Sequence, residues 1–245
     1  MMYGLRDEFQ YFECGKCGCL QIEEIPEDMS RYYPSQYYSF SEYDGKKFKG
    51  ILGKFKTKVY EELVFGGRVA KQNAGQFSDQ RDYEAFNGLG INKESRILDV
   101  GCGNGQSFLY PLAEIGFTKL LGCDPYLEKP IAYSNGLKIE NSNVFEMKGQ
   151  WDMITYHHSF EHIPDPLENL QKAKELLVNG GVCLIRIPTA SSFAWKHYRT
   201  NWAQLDAPRH FFLHTKESMQ VLADNAGLEL YNVVYDSTHF QFSGS

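Results

Sequence analysis

Asp99, Gly101, Gly103 and Gly105 stand at alternate positions in the stretch Ile97-Leu98-Asp99-Val100-Gly101-Cys102-Gly103-Asn104-Gly105. A carboxylate followed by three spaced glycines is the pattern of a ligand-holding turn. Glycine admits positive φ and removes the Cβ that would hold a ligand off the backbone. The apolar residues ahead of Asp99 predict a buried strand. The residues beyond Gly105 predict a helix whose unpaired first N–H groups and positive dipole end lie beside the turn. A strand–turn–helix unit of this kind seats a small charged ligand at the carboxyl edge of a parallel sheet.

Three ligand classes use such turns. A phosphate-cradling loop ends in Gly-Lys-Ser/Thr, but Gly105 is followed by Gln106 and Ser107, with no lysine. The dinucleotide fingerprint needs glycine at its first, third and sixth positions, and the sixth here is Gln106. The remaining class, S-adenosylmethionine, uses an Asp-x-Gly-x-Gly-x-Gly turn, which this chain carries without a mismatch. From roughly Tyr83 to Asp236 the chain resembles the class I S-adenosylmethionine-dependent methyltransferases, of the small-molecule branch.

Two further motifs follow in order. Lys119-Leu120-Leu121-Gly122-Cys123-Asp124 is a short apolar strand ending in an acid. A carboxylate there can accept hydrogen bonds from both ribose hydroxyls of a nucleoside. The plainer alternative is a surface acid opening a turn, since Pro125 comes next. Trp151 to Pro166 then reads as a strand over Asp152–Tyr156, polar and aromatic residues, and a helix start. Asp165 suits the N-cap, Pro166 the first helical position, and Glu168 completes a capping box. Leu167, Leu170, Lys174 and Leu177, widened by Ala173 and Leu176, make one helical face. Asn179-Gly180-Gly181 reads as the helix stop, and Val182 to Ile187 as the next strand.

The resemblance implies a Rossmann-like, doubly wound, mostly parallel α/β sheet. It implies a cofactor held by Asp99, Gly101, Cys102, Gly103, Asn104, Gly105, Asp124 and Pro125, with Tyr156 and His157 at its methionine end. Methyl transfer needs a nucleophile held close and in line, and a hydroxyl or acidic carbon also needs a base. His158 and His210 are the candidates, since a histidine near neutral pKa suits that work.

The segment from Trp195 to Thr215 is dense in aromatic, His, Arg and Asp groups. Loops at this sheet edge carry substrate specificity. Asp206, Arg209 and His210 are therefore the candidate substrate-side residues, and Arg209-His210 resembles the family's Pro-Arg-His element. Thr215 predicts a cap for a helix through Met219, Leu222, Ala223 and Ala226 that stops at Gly227. Leu228 to Asp236 reads as a strand, which leaves the final antiparallel strand of this class short or missing. Relatives continue further, so the chain reads as a candidate fragment at both ends.

The leader carries Cys14-Gly15-Lys16-Cys17-Gly18-Cys19. Glycines beside the cysteines let backbone N–H groups turn toward thiolates, as in zinc ribbons. Cys14 and Cys17 are the candidate ligands, with Cys19 nearby, but structural zinc wants four. Free thiols are the plainer reading. Tyr32-Tyr33-Pro34 and Tyr37-Tyr38-Ser39-Phe40 resemble the stretch that follows a two-knuckle zinc ribbon in some relatives, as if one knuckle were lost. The stretch from Tyr32 to Tyr43 reads as a strap on the domain surface. Lys46-Lys47-Phe48-Lys49 and Lys54-Phe55-Lys56 read as a solvated helix face.

The chain has 245 residues and a net charge of −6, with no basic stripe, which argues against nucleic acid as a partner. No apolar run approaches the roughly 20 residues that cross a bilayer. Met1 to Glu8 holds no apolar signal core, so a cytoplasmic protein is expected. Six cysteines do not suggest a disulfide scaffold at this length, and Cys102, Cys123 and Cys183 read as small core fillers. The expected organisation is a leader over 1–65 and a methyltransferase domain over 66–245, with a substrate-side insertion at about 189–214. The expected activity is methyl transfer to a small molecule: a sugar, a polysaccharide precursor or a lipid-like metabolite. The alternative is a module that keeps the cofactor fold but transfers nothing. Oligomeric state is not legible.

Overall fold

The computed structural model describes residues 7–33, 40, 43–65, 86, 88–236 and 245. The chain divides into two compact units. One comprises 36–157 and 176–184, the other 1–35, 158–175 and 185–245. Most of the tyrosine strap, 34–39 and 41–42, lies outside the described residues.

The first unit holds the large sheet. Its strands are β3 (Ile97–Val100), β4 (Leu120–Cys123), β5 (Ile131–Ala132), β6 (Lys138–Glu140), β7 (Trp151–His157) and β8 (Leu177–Arg186), in the order β5-β6-β4-β3-β7-β8. The β3–β4, β3–β7 and β4–β6 pairs are parallel, and β5–β6 is antiparallel. Residues Ile97 to Val100 are all buried, as expected of a strand covered on both faces. The register sets Asp99 opposite Gly122 on one side and Thr155 on the other, which brings the acid-bearing ends of β3 and β4 level. Helix α1 (Gly50–Phe65) buries Val59, Tyr60, Leu63 and Val64, one stripe at helical spacing. Lys54, Phe55 and Lys56 lie on the solvated side as expected; Phe48 instead turns into the core with Leu112, Ile139 and Met153.

The second unit is built on an antiparallel sheet of β1 (Tyr11–Glu13), β2 (Leu20–Ile22) and β9 (Phe212–Leu213). Leu20 pairs with Leu213, and both are buried with Ala190, Ala194 and Trp202. Ser192 caps α4 (Phe193–Tyr198) by accepting from the Trp195 amide. Thr215 caps α5 (Lys216–Ala226), and Gly227 ends it at φ 69°. Both ends of α5 fall where the sequence puts them.

Three expectations need correction. The helix after the glycine turn, α2 (Leu109–Glu114), starts only at Leu109, past the last turn glycine Gly105, so its N-terminus does not fall directly on the turn. Helix α3 (Pro166–Leu176) ends without using Asn179-Gly180-Gly181, which lie inside β8. A Cβ on Gly181 would sit 2.9 Å from the Val178 carbonyl oxygen and 3.2 Å from that of Trp151. The glycine serves close backbone approach in a strand, not a helix stop. Residues 228–236 form no strand. A strand needs a neighbour's hydrogen bonds, and among the described residues no neighbour pairs here; Tyr231, Val234 and Tyr235 are exposed. No helix among the described residues is long and apolar enough to cross a membrane.

Candidate active site

In the large-sheet unit, Gly101, Gly103 and Gly105 all take positive φ, at 70°, 56° and 72°. The turn spends its own donors. The amides of Gly101 and Cys102 donate to the Cys123 carbonyl at 2.8 and 3.3 Å, and that of Gly105 to the Cys102 carbonyl at 3.0 Å. The Gly103 amide donates to Asp124 Oδ2 at 2.8 Å, and the Gln106 amide to Asn104 Oδ1 at 3.0 Å. These turn amides are spent within the fold rather than aimed at a ligand. A phosphate-bearing cofactor needs such donors. A sulfonium cofactor does not, and the turn offers it a backbone stripped of side chains. The residues present therefore fit S-adenosylmethionine better than a dinucleotide.

Asp99 is buried and accepts from Thr155 Oγ1 at 2.7 Å. Asp124 is buried too, and its Oδ1 accepts from the Tyr126 amide at 2.9 Å. Both acids are oriented by hydrogen bonds, as a charge held out of water requires. Pro125 follows Asp124 into an exposed turn. Tyr133, which the sequence did not single out, donates from its hydroxyl to the Asn104 carbonyl at 2.7 Å. Tyr156 is wholly buried in β7, whereas His157 is half-buried with its ring 4.0 Å from that of Phe108. Burial, aided by the Asp99 charge, pushes the Cys102 and Cys123 thiols up, and burial alone takes Cys183 to about 12, as expected of inert fillers.

In the other unit, His158 and His210 meet at Glu161, a residue to which the sequence patterns give no role. Glu161 is buried, with its Oε1 3.7 Å from His158 Nδ1 and 3.9 Å from His210 Nε2. Burial alone would raise its carboxyl; facing His158, His162 and His210 hold it down at about 2, so it stays ionised. His210 Nε2 is also 3.9 Å from Asp206 Oδ2, and Asp206 pairs with Arg209. Burial, with His162 beside it, lowers His210 to about 4 and keeps the ring neutral. His158 sits at φ 53° with its side chain 48% exposed. The segment is pinned from the small sheet: Tyr11 Oη donates to the His210 carbonyl at 2.8 Å, and the Phe211 amide to the Glu161 carbonyl at 2.8 Å. The structure thus brings His158 and His210 to one buried carboxylate, with Asp206 beside His210 and Arg209 paired to Asp206.

The Cys14-Cys17 knuckle folds as its glycines predict. Gly18 takes φ 67°, and the Cys17 and Lys16 amides facing the Cys14 thiol lower its pKa. Cys19 is different: it is buried, pushed up to about 12, and lies 3.7 Å from His214 Nδ1. Among the described residues, one group of three or more His, Cys, Asp or Glu side chains has its ligand atoms within 4.8 Å of each other. It is Glu161, His162 and His210, not the cysteines.

The family model of the methyltransferase domain matches residues 70–233, and the chain belongs to that family, the class I S-adenosylmethionine-dependent methyltransferases. S-adenosylmethionine is accordingly its cofactor. It is 28% identical to a ubiquinone biosynthesis O-methyltransferase of Dinoroseobacter shibae over 73% of this chain and 75% of that one. It is 30% identical to a protein of the same name from Cereibacter sphaeroides, over 64% of this chain and 66% of that one. A likeness at 31% identity to a tRNA U34 carboxymethyltransferase of Pseudomonas fluorescens spans 36% of this chain and 31% of that one. The fold matches the crystal structure of magnesium protoporphyrin IX methyltransferase from Synechocystis PCC 6803 with bound S-adenosylhomocysteine. The TM-score is 0.50 at 13% identity, over 86% of this chain and 92% of that one.

Proposed function

We propose that the chain transfers a methyl group from S-adenosylmethionine to a hydroxyl oxygen of a small-molecule acceptor. The observation that carries this reading is the buried Glu161 carboxylate beside His158 and His210. A hydroxyl must lose its proton as it attacks, and a histidine backed by a carboxylate accepts one. The names of the O-methyltransferase relatives support oxygen as the acceptor atom.

S-adenosylmethionine supplies an electrophilic methyl for in-line displacement. In this reading the glycine turn, with Asp99, Cys102 and Asn104, lines the cofactor; Asp124 and Pro125 take its ribose side, and Tyr156 and His157 its methionine side. His158, partly exposed and next to Glu161, takes the acceptor proton, and Glu161 stabilises the resulting imidazolium. Asp206, Arg209 and His210 orient the acceptor. The leader over 1–65 precedes the domain that performs the transfer.

The test is release of S-adenosylhomocysteine from a panel of hydroxyl and amine acceptors. Turnover with hydroxyl acceptors is expected. His158→Gln is expected to lower kcat roughly 100-fold or more with cofactor affinity intact. Turnover confined to amines, or wild-type kcat in His158→Gln, overturns the reading.

A further inference from the structure

We propose that Glu161, His162 and His210 form a binding site for one divalent first-row transition-metal ion. One ligand atom from each lies within 4.8 Å of the other two. Glu161 Oε1 and His210 Nε2 are 3.9 Å apart. Donors around a tetrahedral ion with bonds of about 2.0–2.2 Å sit roughly 3.5 Å apart, so that pair needs to close by only about half an ångström.

The two rings are set for the task. His162 Nδ1 lies 2.7 Å from the Arg209 carbonyl oxygen, and His210 Nδ1 lies 2.8 Å from that of Gln204. A carbonyl only accepts, so in the neutral form of each ring Nδ1 carries the proton and Nε2 keeps its lone pair. Backbone carbonyls orient metal-binding imidazoles in this way and fix their tautomer. The rings stand edge to face, with centroids 4.8 Å apart.

Charge balance points the same way. The Glu161 side chain is 1% exposed, and its Oε2 has no hydrogen-bond partner among the described residues. His158 approaches only Oε1. A second buried carboxylate, Asp206, faces His210 Nε2 and is matched by Arg209. Among the described residues Glu161 has no such lysine or arginine partner, and a buried carboxylate favours a cation beside it. Two imidazoles and a carboxylate suit zinc, iron, cobalt or nickel rather than calcium or magnesium. An ion held by three protein groups keeps an open position, where a bound hydroxyl would lose its proton more readily. That consequence rests on the proposed function; the ion site does not.

The test titrates chelator-treated protein with cobalt(II), with no acceptor present. Cobalt on imidazole and carboxylate gives d–d bands alone, whereas cobalt on Cys14 and Cys17 adds thiolate-to-metal charge transfer. The Cys14→Ser/Cys17→Ser double variant is expected to bind one cobalt without that band. In that background Glu161→Gln and His162→Gln are each expected to weaken binding at least about tenfold. Thermal unfolding without metal reports whether each variant folds, and His162→Gln, at a half-buried position, decides if Glu161→Gln does not. No cobalt uptake by the double variant, or unchanged affinity in the folded variants, overturns the proposal. Intact cobalt binding with no methyl transfer to any acceptor counts against the proposed function instead.

Discussion

The Gly103 amide donates to Asp124 Oδ2 at 2.8 Å, so the acid that ends the second strand holds the middle of the glycine turn. Asp124 also takes the Tyr126 amide at 2.9 Å. One buried carboxylate thus shapes the turn and faces the place proposed for the cofactor's ribose. Asp124→Ala removes an ionised acceptor from these amides and from the sugar. A loss of about 1.5–3 kcal/mol in cofactor binding is expected, roughly 10- to 150-fold in the dissociation constant for S-adenosylhomocysteine. Calorimetric titration measures it, and an unchanged constant rules out the ribose role.

The parts legible in sequence are those whose physics is local. An apolar run ending in Asp99 and alternate glycines announces strand and turn, and Thr215 with Gly227 announces both ends of α5. What the sequence hid depends on distant partners. The turn's donors are taken by Cys123 and Asp124, which no local pattern links to Gly101 or Gly103. Leu20 pairs with Leu213 and Tyr11 reaches His210, so the small sheet under the histidine cluster left no local trace. Glu161 could have been suspected from an acid beside a histidine after a buried strand. Its role emerges only when His210, far along the chain, meets it. Leu228 to Asp236 shows the reverse failure, a strand pattern with no neighbour among the described residues to pair it.

Gly105 separates two costs of a side chain. At φ 72° its added Cβ would lie 2.6 Å from Ile139 Cδ1, whereas Gly136, at φ 92°, has nothing within 4 Å. Gly136→Ala therefore costs backbone strain alone, on the order of 1 kcal/mol. Gly105→Ala adds a clash with the end of the buried Ile139 side chain and is expected to cost about 1 kcal/mol more. Urea unfolding of the two variants reads the difference. Equal losses would mean that Ile139 yields freely.

His214 makes stability depend on pH. Burial lowers its pKa to about 4, against the Glu161 charge. Its ring lies among Cys19, Ser218, Phe160 and Phe212. The unfolded chain takes a proton there near its ordinary pKa of about 6.5. The contribution is therefore full above that pH and is lost as pH falls toward 4, on the order of 3 kcal/mol in all. His210, lowered by burial in the same way, adds to the slope. His214→Gln should flatten the fall in unfolding free energy between pH 6.5 and 4. A variant with the wild-type slope would place the acid sensitivity elsewhere.

Thr215 joins two structures through one oxygen. Its Oγ1 accepts the Ser218 amide at 3.1 Å and donates to the Cys17 carbonyl at 2.5 Å, while Ser218 Oγ accepts the Thr215 amide at 2.9 Å. The hydroxyl therefore caps α5 and ties the cysteine knuckle to it. Thr215→Ala loses the cap, worth about 1–2 kcal/mol, and leaves the Cys17 carbonyl without that donor. For a chain of this size that corresponds to a fall of roughly 3–6 °C in Tm. Thr215→Ser keeps both bonds and gives up only a methyl group, so it should stay close to the wild type. If serine and alanine fall together, the methyl packing rather than the shared oxygen holds the helix to the knuckle.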